Sequence, residues 1–321
     1  MKTAIRLCVG ITVLLLGTSI VSAQQFPARP IHFISPAAAG GGFDFVVRTI
    51  SPKVSETLGQ PIVIENRGGA GGNVGTALAA KAAPDGYTVV LSYIGTIAIA
   101  PWIYKDLGYH PLRSFAHITH LTSVPLLAIA HPSVPAKSLK ELAAFARTRP
   151  GSLTFGSAGA SSQMTGELFK IMTNTNIVHV PYKGAAPAAV DLIGGHIALA
   201  FMSPAATTEH VKSGRLRGLA VTGTFRLATL PDVPTSTEAG YPDLVVKDWY
   251  GLSAPANTPK EVISRLNAEF LRALKLSDVK ERLATMGYET VGGLPDEFTA
   301  YVRSEYERWG EVVKKAGIPA E

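Results

Sequence analysis

The fold is decided by the stretch IHFISPAAAGGGFDF at residues 31–45. Its first four residues form a β-rich run typical of a strand, and a helical pattern follows from residue 43 to residue 58. Glycine and alanine fill the turn between the two. Strands that alternate in this way with helices predict parallel sheets with helices on both faces.

The alternation extends over most of the chain. Strand and helix patterns succeed one another up to residue 93, and again over residues 139–222. Extended segments without helices interrupt this order at 115–131, where Pro125 divides the run, and at 244–253. Two helical patterns, 259–275 and 295–315, end the chain.

We interpret the two interruptions as crossings of the chain between two lobes. The C-terminal helices then return to the first lobe. The expected boundaries are 24–124 plus 251–321 for lobe 1 and 125–250 for lobe 2. The predicted fold class is therefore α/β, with two lobes whose parallel-type sheets are joined by crossing strands.

The N-terminus has the three-part layout of a secretory signal peptide. Lys2 and Arg6 are basic, Leu7–Gly17 is apolar, and Val21-Ser22-Ala23 offers the small residues that precede cleavage. A buried cytosolic helix is the alternative, but such helices rarely begin near residue 5 with basic flanks. We expect residues 1–23 to be removed, so that the exported chain starts at Gln24.

Removal of the signal takes away Cys8, which is the single cysteine. A disulfide framework and a cysteine-ligated metal are thereby excluded for the mature chain. No second apolar run of about eighteen residues follows, so we expect a soluble protein. The formal net charge of +6 falls to +4 without Lys2 and Arg6. The basic residues are spread along the chain, which argues against a nucleic-acid partner.

Enzyme signatures are missing from the sequence. Ser157 lies in Phe-Gly-Ser-Ala-Gly, which lacks the first glycine of a nucleophile elbow. Phe45 and Val74 occupy the third-glycine positions of the two possible dinucleotide-binding loops, and no P-loop is present. His117 and His120 fall in a strand pattern, where a separation of three predicts opposite faces and no shared metal. We expect no catalysis, no cofactor and no metal.

Two glycine-rich turns are the best candidates for a binding site. Residues 36–44 and 155–162 each follow a strand and open a helix, one in each predicted lobe. Free backbone N–H groups and the helix dipole favour an anion at such a position. In open α/β sheets the ligand crevice lies beyond the carboxyl ends of the strands. Either turn alone could be a tight connection without a ligand, but two turns in separate lobes favour ligand capture.

Several ordered motifs also carry a resemblance to a known family. They are Gly40-Gly41-Gly42-x-Asp44 with Arg48, Glu65-Asn66-Arg67-Gly68-Gly69-Ala70-Gly71-Gly72, Pro84-Asp85-Gly86-Tyr87-Thr88, Gly156-Ser157-x-Gly159, Val180-Pro181-Tyr182-Lys183-Gly184, Asp191-Leu192-Ile193-Gly194-Gly195 and Pro255-Ala256-Asn257-Thr258-Pro259. Over residues 30–318 the chain resembles the substrate-binding receptors of tripartite tricarboxylate transporters, often called Bug receptors.

The resemblance implies a periplasmic binding protein of the Venus-flytrap type. Such a receptor holds a small organic carboxylate through backbone and water in the loops at 37–44 and 156–162, and delivers it to membrane permease subunits. Phe43 and Met164 depart from the family pattern and are expected to make the pocket rim more apolar. An aromatic carboxylate is therefore a candidate ligand beside a dicarboxylate or a tricarboxylate.

Further candidates end or follow strands and should line the cleft. Asp44 would repel a carboxylate, so its expected role is to brace the loop or hold a water. The candidate ligand-binding residues are Ala38, Ala39, Gly40, Gly41, Gly42, Phe43, Asp44, Tyr93, Gly95, Gly156, Ser157, Ala158, Gly159, Ser161, Ser162, Tyr182, Met202 and Ser203. An exported sensor that signals through its closed state, or less favoured an exported hydrolase, remains an alternative function.

Overall fold

A computed structural model describes residues 26–320, except residues 38, 158 and 183. The predicted signal peptide lies outside the described residues. The strands are β1 (Ile31–Ser35), β2 (Ile62–Asn66), β3 (Thr88–Tyr93), β4 (Phe115–Pro125), β5 (Leu127–Ala130), β6 (Thr154–Ser157), β7 (Val178–Pro181), β8 (Leu199–Met202), β9 (Arg217–Val221), β10 (Lys247–Pro255) and β11 (Glu289–Gly292).

The helices cover both faces of the sheets that these strands form. They are α1 (Gly42–Leu58), α2 (Asn73–Ala80), α3 (Ala100–Ile103), α4 (Leu139–Thr148), α5 (Ala160–Thr173), α6 (Ala185–Ile193), α7 (Pro204–Lys212), α8 (Lys260–Lys275), α9 (Ser277–Ala284) and α10 (Pro295–Ala316). A π-helical turn, Gly95–Ile99, precedes α3. Within the described ranges, none of these helices has the length and apolar character to cross a membrane.

The strands form two sheets, which confirms the predicted two-lobed α/β class. The first has the order β11-β4-β10-β3-β1-β2 and the second the order β7-β6-β8-β5-β9. Each sheet is mixed, because β10 runs antiparallel to β3 and β4, and β5 runs antiparallel to β8 and β9. β11 also runs antiparallel to β4. β5 follows the first crossing between the sheets, and β10 follows the second. The exact lobe boundaries stay a prediction, and β10 belongs to the first sheet from Lys247 onward.

Apolar side chains fill both faces of each sheet. In the first lobe, α1, α8 and α9 pack around Phe33 and Phe270, and α10 packs with Trp249 and Trp309 on the other face. In the second lobe, α4 and α5 enclose one face, and α6 packs on the opposite face. The periodic apolar positions of the sequence are buried in this way, which leaves the loops at the strand ends for binding.

The prediction that His117 and His120 lie on opposite faces of their strand is wrong. Both rings contact Phe298, with centroid distances of 5.7 and 5.5 Å. The pairing of β4 with β10 contains two register shifts, and one of them falls between the two histidines. A bulge adds one residue and so brings positions three apart to the same side. Among the described residues, no group of three His, Cys, Asp or Glu side chains could hold a metal.

Candidate functional site

A cavity of about 790 Å³ lies where strands of both sheets end. The residues after β1 and at the carboxyl ends of β3, β6 and β7 line it, as expected for open α/β sheets. The lining residues are Pro36, Ala37, Phe43, Gly68, Gly69, Ala70, Gly71, Gly72, Asn73, Tyr93, Gly95, Ala100, Ile103, Tyr104, Ser157, Gly159, Ala160, Ser161, Gln163, Pro181, Tyr182, Asp248 and Ile318.

The cavity brings together part of the predicted site. The predicted residues that line it are Phe43, Tyr93, Gly95, Ser157, Gly159, Ser161 and Tyr182. The described candidates that lie away from its wall are Ala39, Gly40, Gly41, Gly42, Asp44, Gly156, Ser162, Met202 and Ser203. Ala38 and Ala158 lie outside the described residues.

Asp44 braces the first-lobe loop. Its carboxylate accepts hydrogen bonds from the Gly40 N–H at 3.0 Å, Arg48 Nε at 2.8 Å and Asn66 Nδ2 at 3.1 Å. These donors, Arg48 above all, hold the pKa of the Asp44 carboxyl below its usual value. The Gly40 amide is thus already paired, and the geometry gives Asp44 the bracing role considered in the sequence analysis.

Aromatic rings form the first-lobe wall of the cavity. The Phe43 ring centroid lies 4.6 Å from that of Tyr93 and 4.9 Å from that of Tyr250. A Cβ on Gly95 would lie 2.4 Å from the Tyr93 ring, so only glycine lets the ring take this position. The Tyr93 hydroxyl donates to the Gly71 carbonyl and fixes the neighbouring loop.

That neighbouring loop, residues 68–73, is the main feature that the candidate set missed. It follows β2, opens α2 and lines the cavity over its whole length. The strand-end argument that selected residues 36–44 applies equally here, and the glycines at 68, 69, 71 and 72 were a visible signal. Gly72 adopts φ +94°, and a Cβ there would lie 3.0 Å from the Pro36 carbonyl oxygen.

On the second-lobe side, Ser157 and Tyr182 have partners of their own. Ser157 Oγ lies 2.7 Å from His179 Nε2, and the Tyr182 hydroxyl donates to Asp191 at 2.7 Å. Burial lowers the pKa of His179, which favours a neutral ring at neutral pH. The α5 helix begins at Ala160, directly after Gly159, and both residues line the cavity, so the start of this helix lies at the cavity wall.

Two methionines that were expected near the cleft are core residues. Met164 was expected at the pocket rim, but it is fully buried with Trp309 and Val312, where α5 packs against α10. Met202 is likewise buried in the second-lobe core. Met202 does lie at the end of a strand, but the pleat of that strand turns its side chain into the core.

Asp248 is the carboxyl group on the described wall of the cavity. It lies on β10 of the first sheet and interacts with the Ser161 side chain of α5, which favours the ionised form of the carboxyl. Its Oδ1 is buried and has no hydrogen-bond partner among the described residues. Burial raises the pKa of this carboxyl to about 6. Across the described part of the wall there is no lysine, arginine or histidine.

Comparisons with known proteins agree with this architecture. Residues 46–318 match the tripartite tricarboxylate transporter family receptor (TctC). The BugT protein of Bordetella pertussis is 36% identical over 319 residues, covering 98% of each chain. A solved R. palustris protein with adipate is 34% identical, with a TM-score of 0.82, over 92% of this chain and 100% of its own.

A second solved relative, MatC from Rhodopseudomonas palustris, contains bound malate. It is 33% identical with a TM-score of 0.79, over 90% of this chain and 100% of its own. The similarity extends over nearly the full length of the chain, in sequence and in both lobes, and it therefore assigns the family. The chain belongs to the family of tripartite tricarboxylate transporter receptors.

Proposed function

We propose that this chain captures a small organic carboxylate in the cavity between its lobes and delivers it from the periplasm to the membrane subunits of a tripartite tricarboxylate transporter. The observation that carries the proposal is the start of α5 at the cavity, where Gly159, Ala160 and Ser161 line the wall together with the glycine-rich loop 68–73. Backbone amides at such positions bind anions without a charged side chain.

The size of the cavity and the related structures support a small ligand. Pockets for small molecules have volumes of about 300–1,000 Å³, and the cavity has about 790 Å³. Two relatives were solved with small carboxylates, one with adipate and one with malate. The apolar wall around Phe43 and Tyr93 also suits an aromatic or aliphatic carboxylate.

Ligand identity and delivery need separate experiments. Mass spectrometry of the small molecules released on denaturing freshly purified protein identifies the ligand, and a non-carboxylate ligand would contradict the proposal. Capture of permease subunits from solubilised membranes by ligand-loaded receptor tests delivery. Capture of a membrane kinase in their place would favour the sensor alternative.

The Ser157–His179 contact favours a hydrolase as a second candidate, because a nucleophile requires a base within hydrogen-bond reach. Ser157 is only 3% exposed, however, so a substrate carbonyl has little access to Oγ. We expect no ester or amide hydrolysis by the purified protein. Turnover that disappears in Ser157→Ala would establish the hydrolase instead.

A further inference from the structure

Asp248 stands out because one of its carboxylate oxygens is unsatisfied. The Asp248 carboxyl interacts with the Ser161 side chain, yet its Oδ1 is buried and has no hydrogen-bond partner in the described chain. A buried polar atom without a hydrogen bond is costly, and native proteins rarely keep one without a reason. Since Asp248 lines the cavity, a bound molecule can supply the missing donor.

The surroundings of Asp248 restrict what that donor can be. The described wall supplies no lysine, arginine or histidine to compensate the carboxylate. Burial raises the pKa of Asp248 to about 6, so the carboxyl is mainly ionised at pH 7 and can only accept hydrogen bonds. A carboxylate of the ligand would be repelled at this point, whereas a hydroxyl or an ammonium group would be bound.

The position of Asp248 also fixes where this group lies on the ligand. Ser161, which interacts with this carboxyl and lines the same cavity, belongs to the first turn of α5, next to the amides that we propose to hold the ligand carboxylate. The donor and the ligand carboxylate therefore lie close together on the ligand.

We propose that Asp248 makes this receptor selective for carboxylates that carry a hydroxyl or ammonium group beside the carboxylate. The inference rests on the proposed function and specifies its ligand class. The selectivity has two sources, one for ligands that carry the donor and one for ligands that lack it. A ligand with the donor satisfies Oδ1, and a ligand without it leaves a buried charge unpaired.

Calorimetry with matched ligand pairs tests this inference. The pairs are malate with succinate, lactate with propionate, alanine with propionate, and mandelate with phenylacetate. For the pair that fits the cavity, the member with the donor should bind at least about tenfold more tightly at pH 7.5. The alanine arm separates an ammonium donor from the hydroxyl donor of lactate. In Asp248→Asn the preference should fall to less than about threefold, because the carboxamide is neutral.

The matched control is Asp243→Asn, which removes the same charge from an exposed position and should keep the wild-type preference. Equal binding of both members of each pair by the wild type overturns the selectivity but leaves carboxylate binding standing. A preference that survives Asp248→Asn also overturns it. Absence of binding by every carboxylate overturns the proposed function, and this inference with it. The wild-type ratios decide the matter even where Asp248→Asn folds poorly.

Discussion

Thr222 and Leu126 are hydrogen-bonded to each other at the point where the chain passes between the sheets. The Leu126 N–H donates to Thr222 Oγ1 at 2.9 Å, and the Thr222 N–H donates to the Leu126 carbonyl at 2.8 Å. Thr222 Oγ1 also donates to the Val246 carbonyl at 2.6 Å, just before β10. One fully buried threonine thus joins both crossings.

Removal of this hydroxyl should destabilise the protein. Thr222→Val keeps the shape but leaves the buried Leu126 N–H without its acceptor, which costs about 1–3 kcal/mol. Urea unfolding followed by circular dichroism measures the loss. Thr208→Val removes a partly exposed helical hydroxyl and should stay within about 0.5 kcal/mol of the wild type. Equal effects of the two substitutions would contradict a special role for Thr222.

The same junction is the expected pivot for closure of the lobes on a ligand. A ligand shifts such an equilibrium only by binding the closed form more tightly. Small-angle scattering should therefore give a smaller radius of gyration with a saturating carboxylate than without it. An unchanged radius under conditions where calorimetry shows full occupancy would count against closure.

Backbone amides, rather than a salt bridge, should hold the ligand carboxylate. Gly72→Ala adds a Cβ at a positive φ, 3.0 Å from the Pro36 carbonyl oxygen, and should weaken binding by at least about tenfold. Lys183, which lies outside the described residues, should contribute less than about tenfold when replaced by methionine. Calorimetry on both folded variants compares the two effects. Loss of binding in Lys183→Met with little change in Gly72→Ala would show a salt bridge instead.

A single carboxylate supports the aromatic core of the first lobe. Glu305 Oε2 accepts the indole N–H of Trp249 at 3.2 Å and that of Trp309 at 3.1 Å. Glu305→Leu leaves two buried donors unpaired and should cost about 2–4 kcal/mol of unfolding free energy. Glu305→Gln keeps an acceptor oxygen and should cost clearly less. The exposed Glu307→Leu serves as the control for a lost charge on the same helix.

Acid should destabilise the protein through His117 and His120. Burial lowers the pKa of both rings to about 4 in the folded protein, against about 6.5 in the unfolded chain. The unfolded chain therefore binds more protons between these values. The stability contribution is complete above about pH 6.5 and is lost as the pH falls through about 4.

Each histidine contributes at most about 3.4 kcal/mol to the free energy of unfolding through this shift. Asp248 opposes it, since its raised pKa stabilises the folded state as the pH falls from about 6 to about 4. The free energy of unfolding should still be higher at pH 7.5 than at pH 5. This difference between the two pH values should be larger in Asp248→Asn. The opposite order would mean that the histidines are not buried as neutral rings.

The sequence predicts the parts of this fold that depend on local pattern. Helix and strand periods placed most elements to within a few residues, and the helical pattern predicted at 43–58 differs from α1 by one residue at its start. The helix α9 and the strand β11 were missed, because both are short and only modestly apolar. Short elements of this kind depend on tertiary packing more than on their own period.

The candidate site was predictable to a similar extent. Strand ends identified Phe43, Tyr93 and Ser157 at the cavity wall. The contact between α5 and α10 that buries Met164 is tertiary, and so is the approach of Asp248 on β10 to Ser161. Ser161 and Asp248 are 87 residues apart in the sequence, and no local pattern predicts a contact over that separation. Both contacts therefore became visible only in the structure.

The place of β10 in the first sheet has a consequence for how the chain folds. This strand lies between β3 and β4, yet more than 120 residues separate it from β4 along the chain. In a segment that ends with β4, the strands β3 and β4 therefore lack the strand that pairs with both of them. They gain it only after the second lobe and β10 have followed. Such long-range pairing slows folding and exposes strand edges in the meantime.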